Sequence, residues 1–94
     1  MTMKSTSTAQ AEAIKETVRD FLTEFITPKE VERLGDTAPL ITGGVLDSIT
    51  LVELVAALED RYGVTIHSHE MSVEYFDSLN EIAAMVQSKM DDPS

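Results

Sequence analysis

Ninety-four residues, with 17 acids against 7 lysines and arginines and no cysteine, describe one small domain of net charge -10 whose core is modest and whose stability margin is thin. The missing cysteine excludes a disulfide framework, a thiolate metal site and a protein thiol nucleophile. The acidic surface repels phosphate backbones, which argues against nucleic acid as a partner. The charge is uneven. Residues 1–47 hold eight acids and five bases, and residues 48–94 hold nine acids and two bases, Arg61 and Lys89. Such a surface speeds encounters with basic patches on proteins.

In chain order, Met1 to Gln10 is polar and rich in Ser and Thr, with no apolar run to serve as a signal peptide. Residues 1–8 are expected to be disordered, residues 9–90 to form the domain and residues 91–94 to be a disordered tail. Nothing later approaches a membrane span, so no membrane association and a cytoplasmic location are expected. From about Ala9 to Ile26, the residues Ile14, Val18, Phe21, Leu22, Phe25 and Ile26 recur at helical spacing, with Glu12, Lys15, Glu16, Arg19 and Asp20 on the wet side. Thr27-Pro28 ends this helix, because proline disfavours helical geometry in the residue before it.

Pro28 to Leu46 is a long connection, a length usually associated with function. Pro28 opens a short helical turn through Leu34, closed by Gly35. Leu40, Ile41, Val45 and Leu46 are expected to anchor the remainder on the core. The Gly43-Gly44 pair lacks the lysine and spacing of a phosphate-binding loop, and is read as a tight turn before the next helix.

That helix runs from Asp47-Ser48 to Gly63, with Asp47 or Ser48 as its N-terminal cap and Gly63 as the left-handed residue after its last turn. It carries two apolar stripes. Leu51, Leu54, Val55, Leu58 and Tyr62 have the spacing of a core face. Ile49, Val52 and Ala56, interleaved with Glu53 and continued by Glu59 and Asp60, form a second stripe. Either a further neighbour within the domain or a docking surface for a basic, partly apolar partner accounts for it.

Val64-Thr65-Ile66 alternates briefly, but no second strand is available to pair with it, so a loop is expected. His67 and His69 would need further ligands to hold a metal; solvent-facing loop residues are expected and no metal site is assigned. Met71 to Phe76 makes one or two helical turns. The last helix opens at Asp77-Ser78 with a Ser78/Glu81 capping box and an inward stripe of Leu79, Ile82, Ala83, Val86 and Met90.

Leu46-Asp47-Ser48-Ile49, followed by Val52-Glu53-Leu54 and Leu58-Glu59-Asp60, resembles the acyl carrier and peptidyl carrier protein family. The similarity runs from about Leu40 to Val86 and more loosely over the first helix. Ile49 stands where that family usually has leucine. The resemblance implies an all-α fold, a four-helix bundle of acyl-carrier type with three long helices and a short third one. It implies that 4'-phosphopantetheine is transferred from coenzyme A to the Ser48 hydroxyl by a phosphopantetheinyl transferase and Mg2+. Asp47 would position the metal or the serine. The arm's thiol would then carry an acyl or aminoacyl group as a thioester.

Asp77-Ser78-Leu79 matches the family tripeptide better than Asp47-Ser48-Ile49 does. However, Ser78 has a capping partner, lacks a glycine loop in front and lies too near the C-terminus for a recognition helix and a further helix to follow. Ser48 is therefore the expected attachment residue. Ile49, Val52, Glu53, Ala56, Glu59 and Asp60 are the expected docking face for the transferase, for an acyl- or aminoacyl-loading enzyme and for synthase or tailoring enzymes.

The chain is expected to be a monomer and a substrate of other enzymes rather than an enzyme, since no base or acyl-stabilising pocket accompanies Ser48. An unmodified acidic adaptor binding a basic protein partner is the alternative. Fatty acyl, polyketide extender and amino acid loads all stay open, with polyketide or mixed peptide–polyketide synthesis favoured over bulk fatty acid synthesis.

Overall fold

Apolar residues at helical spacing, separated by proline- and glycine-marked connections, form five α-helices in a computed structural model that describes residues 2–91, with side chains from residue 9 onward. These are α1 (Thr2–Leu22), α2 (Pro28–Arg33), α3 (Ser48–Tyr62), α4 (Val73–Phe76) and α5 (Leu79–Asp91), with a 3-10 turn at Ser68–Glu70. No strand occurs among the described residues, and Val64 to Ile66 is loop with Ile66 buried. The three long helices and the short α4 are the bundle that the sequence predicts. The six-residue α2 is the turn expected after Pro28.

The boundaries of α1 differ from expectation. Helical backbone begins at Thr2 rather than near Ala9. Polarity alone does not end a helix, and the first proline or glycine in the chain is Pro28. At its other end α1 stops at Leu22, and turns carry the chain to Pro28. Phe25 therefore leaves the helical stripe. It is exposed and packs its ring on half-buried Phe21 at 5.0 Å between centroids. The tail expected over 91–94 begins inside α5 at Asp91, while residues 92–94, like Met1, lie outside the described residues.

Thr27 does more than end α1. It caps α2, accepting from the Glu30 N–H at 3.2 Å while its own N–H donates to the Glu30 carboxylate at 3.2 Å. This is a capping box around Pro28 at the first helical position.

The core lies where α1 crosses α5, sealed by the inner face of α3 and by Phe76 of α4, the largest fully buried side chain. Ile14, Val18 and Leu22 enter from α1, and Leu54 and Leu58 from α3. A four-residue helix cannot stand alone; burial of Phe76 holds α4 in place.

Lys15 is not on the wet side. It precedes Leu22 by seven residues, nearly the same helical azimuth, and is only 7% exposed. Its ammonium reaches the Asp36 carboxylate at 2.9 Å and Glu12 at 3.3 Å, and Arg19 donates to the same Asp36 at 3.0 Å. Asp36 lies in the long connection, so this network straps that segment to α1. The main-chain carbonyl of Asp36 also accepts from Asn80 N–H of α5 at 3.1 Å.

Candidate functional site

The connection from Leu34 to Asp47 is irregular but held at defined points. Leu40 and Leu46 are buried, 0% and 3% exposed, whereas Thr42, Gly43 and Gly44 between them are exposed. The Leu40 carbonyl accepts from both Val45 N–H and Leu46 N–H at 2.8 Å, drawing the chain into a closed loop. The two glycines of this loop do different things. Gly44 turns the chain at φ 83°, a left-handed geometry that glycine adopts without strain, and a Cβ built there would meet nothing within 4 Å. A Cβ on Gly43 would instead lie 2.3 Å from the Pro39 carbonyl oxygen, so the backbone passes too close for any side chain.

The chain leaves this loop into the first turn of α3. Asp47, not Ser48, is the cap: its extended backbone and its carboxylate, accepting from Thr50 N–H at 2.7 Å, satisfy one of the orphan donors of the first turn. That bond holds the Asp47 carboxyl below the usual carboxylate range. Ser48 is thereby the first helical residue. Its side chain is exposed, and its hydroxyl enters no hydrogen bond with the described residues. An uncommitted hydroxyl thus stands at the positive end of a helix dipole, beside an open glycine turn and an ionised carboxylate. It is placed to accept a bulky or anionic group brought by another molecule.

Ser78 has the opposite surroundings. It is 8% exposed, and its hydroxyl accepts from Glu81 N–H at 3.1 Å to cap α5. The Glu81 carboxylate does not reach back, so half of the expected box is formed.

Of the two stripes on α3, the first packs inward, with Leu54, Val55 and Leu58 buried and Leu51 and Tyr62 half-buried. The second is left without a neighbour among the described residues: Ile49 is 72% and Val52 55% exposed, with Glu53, Ala56 and Asp60 exposed beside them. Glu59 is set apart from this group. It is half-buried, and its carboxylate accepts from Ile66 N–H at 2.8 Å, tying down the loop after Gly63. Gly63 has the expected left-handed geometry, φ 66°. Beyond it, His67 and His69 are exposed and stack ring on ring at 5.8 Å. No group of three or more His, Cys, Asp or Glu side chains that could hold a metal occurs among the described residues.

Two carboxylates hold parts of the fold that lie far from them in the chain. Asp77 accepts from Ile41 N–H at 2.8 Å and Thr42 N–H at 2.9 Å, and these bonds hold its carboxyl below the usual range. Glu70 pairs with Lys89 at 2.8 Å and is lowered likewise. With Asp36, lowered chiefly by its bond to Lys15, four carboxyls share this direction.

The sign of the pH dependence follows. A depressed carboxyl adds stability that is present above its unfolded pKa and is lost as pH falls through its folded one. Lys15 is raised, chiefly by its bond to Asp36, so its contribution is lost only as pH rises through its folded value, above the ordinary lysine range. The urea midpoint is expected to be level from about pH 5.5 to 9 and to drop on acidification below about pH 4, where ordinary carboxyls protonate. A midpoint at pH 3 equal to that at pH 7 would contradict this.

Among the described residues, no helix is long and apolar enough to cross a membrane. In comparison with known proteins, the family described as "Phosphopantetheine attachment site" matches residues 12–86. A D-alanyl carrier protein of Streptococcus suis (strain 98HAH33) is 32% identical over 73 residues, covering 78% of this chain and 90% of that protein. One of Lactococcus lactis subsp. cremoris (strain MG1363) is 32% identical over 79 residues, 84% of this chain and 99% of the relative. The D-alanyl carrier protein of Lactococcus lactis subsp. lactis (strain IL1403) is 30% identical over the same length.

Proposed function

Since the chain belongs to the phosphopantetheine-attachment family of carrier proteins, we propose that Ser48 is the residue that bears its covalent 4'-phosphopantetheine. One observation carries this assignment: Asp47 caps α3, which leaves the Ser48 hydroxyl exposed and uncommitted, while the competing Ser78 is buried in a cap. The surroundings fit the group. A phosphodiester on Ser48 Oγ is an anion at a helix N-terminus, worth about 0.3–1 kcal/mol, and the open space at Gly44 leaves room for a transferase. In the transfer, Ser48 Oγ would form the new bond to the phosphopantetheine phosphorus as the pyrophosphate P–O bond of coenzyme A breaks, adenosine 3',5'-bisphosphate leaving with the electron pair and the serine proton passing to solvent. Asp47, ionised and adjacent, orients Mg2+ or the serine. Once attached, the arm supplies a terminal thiol for a thioester.

Intact mass after incubation with a broad-specificity phosphopantetheinyl transferase, coenzyme A and Mg2+ tests the assignment. A gain of one phosphopantetheine is expected on the parent chain, and no gain overturns it.

Of the loads that the sequence leaves open, an aminoacyl group has the support of the relatives' names, D-alanyl carrier proteins. The leaning toward polyketide or mixed peptide–polyketide synthesis has no such support. The cargo proposed is therefore a small amino acid, joined through its carboxyl as a thioester by a separate loading enzyme. Hydroxylamine release of cargo from holo protein, read by mass, is expected to yield an amino acid hydroxamate; an acyl hydroxamate without an amine would reject it.

The chain acts as a substrate of its partners, and the docking face proposed for them is Ile49, Val52, Glu53, Ala56 and Asp60. Glu59 stands at its edge, where its carboxylate already holds the neighbouring loop.

A further inference from the structure

The Asp-Ser pair of positions 47 and 48 recurs at Asp77-Ser78, where the two polar residues divide their work. Ser78 serves its own helix as the cap of α5. Asp77 instead serves a segment 35 and 36 positions earlier in the chain. Its Oδ1 accepts from Ile41 N–H at 2.8 Å and from Thr42 N–H at 2.9 Å, and the Thr42 hydroxyl donates to Oδ2 at 3.0 Å. Its main-chain carbonyl accepts from Leu40 N–H at 2.7 Å. Three consecutive residues thus donate to one aspartate. The next link is the Leu40 carbonyl, which accepts from Val45 and Leu46 N–H, and Leu46 immediately precedes the cap of α3. Hydrogen bonds therefore run without a break from the head of α5 to the doorstep of Ser48.

Without the clamp, the exposed part of this loop keeps one bond of its own, Gly44 N–H to the Ile41 carbonyl at 3.1 Å, across two adjacent glycines. Glycine carries the largest backbone entropy of any residue, so a released loop samples many arrangements. The Asp77 carboxylate selects one of them.

We propose that Asp77 is a positioning residue for the modification of Ser48, clamping residues 40–42 so that the loop stands in the arrangement on which the phosphopantetheinyl transferase docks. This rests on Ser48 as the attachment point. Asp77 acts through the loop and does not touch the reacting atoms. A loop that spends only a fraction of its time in the competent arrangement raises the apparent KM for the carrier by the inverse of that fraction and leaves kcat unchanged.

The experiment measures initial rates of transfer from coenzyme A against carrier concentration for the parent, Asp77→Ala and Asp77→Asn. Backbone amide hydrogen exchange is followed on the unmodified proteins. Asp77→Ala removes all three side-chain hydrogen bonds to the carboxylate and is expected to raise KM by at least about tenfold, the ratio that one bond to a charged acceptor sets, with kcat kept. Asp77→Asn keeps an oxygen for the two amides, and about a threefold rise is expected. Exchange at Ile41 and Thr42 should quicken in both while the amides of α1 and α3 stay protected. A folded Asp77→Ala or Asp77→Asn with the parental KM overturns the proposal, as does faster exchange spread evenly over the chain with KM unmoved. If Asp77→Ala does not fold, Asp77→Asn decides alone by the same criterion. A parent that gains no phosphopantetheine, or a gain that survives Ser48→Ala, overturns the attachment site itself. A parent modified at Ser48 with unaltered Asp77 variants overturns the positioning role only.

Discussion

Replacing Ser48 by alanine is expected to abolish the phosphopantetheine mass gain and to leave the urea unfolding curve within about 0.5 kcal/mol of the parent, as befits an exposed site outside any special contact. Ser78→Ala is expected to do the reverse: full modification, with a loss of about 1 kcal/mol from a missing helix cap. The reason is the division of labour at the two helix starts. At α3 the aspartate caps and the serine is free, whereas at α5 the serine caps and the aspartate reaches away. Because a ninety-residue domain holds only about 5–14 kcal/mol in all, the second loss is readily seen. Modification that persists in Ser48→Ala, or is lost in a folded Ser78→Ala, would exchange the roles.

The double charge reversal Glu53→Lys with Asp60→Lys is expected to lower kcat/KM for the loading enzyme by about 10- to 100-fold at low salt, with the fold intact. Each exposed pair with a basic partner is worth up to about 1 kcal/mol, and reversal turns attraction into repulsion, so each site contributes roughly a factor of ten. Both side chains are exposed and neither enters an ion pair among the described residues, so nothing within the domain is broken. The deficit should shrink as salt rises from about 0.1 M to 1 M and the screening length falls from about 10 Å to 3 Å. Loading rates equal to the parent's at low salt would remove these two residues from the docking face. Glu59 is the internal contrast: Glu59→Lys breaks the bond to Ile66 N–H, so its effect should appear in stability as well.

What could be read in advance was what neighbouring residues tell one another. The start of α3 at Asp47-Ser48, its end at Gly63 and the two stripes between them are local patterns, and the structure keeps each of them. The second stripe was ambiguous because periodicity reports that a face is apolar but not whether anything covers it; exposure of Ile49 and Val52 is a tertiary fact. Residue type places Lys15 in water although its azimuth matches Leu22, because its partner Asp36 lies 21 positions away. The partners of Asp77 lie 35 and 36 positions away across the fold, where no local pattern reports them. The Thr27 box is a different case. Thr27 carries the same S/T-x-x-E pattern as Ser78, and its proline both ends one helix and begins the next.

The Leu40 carbonyl, which receives the chain again at Val45 and Leu46, separates the outline of the loop from the geometry of the bundle. Leu40 and Leu46 enter the core side by side, so the path between them can change shape without moving either. Gly43 is confined within that path by the Pro39 oxygen, whereas Gly44 is not. At Gly44 the limit is therefore set by conformation and not by space: a Cβ would touch nothing, but φ 83° strains any residue other than glycine.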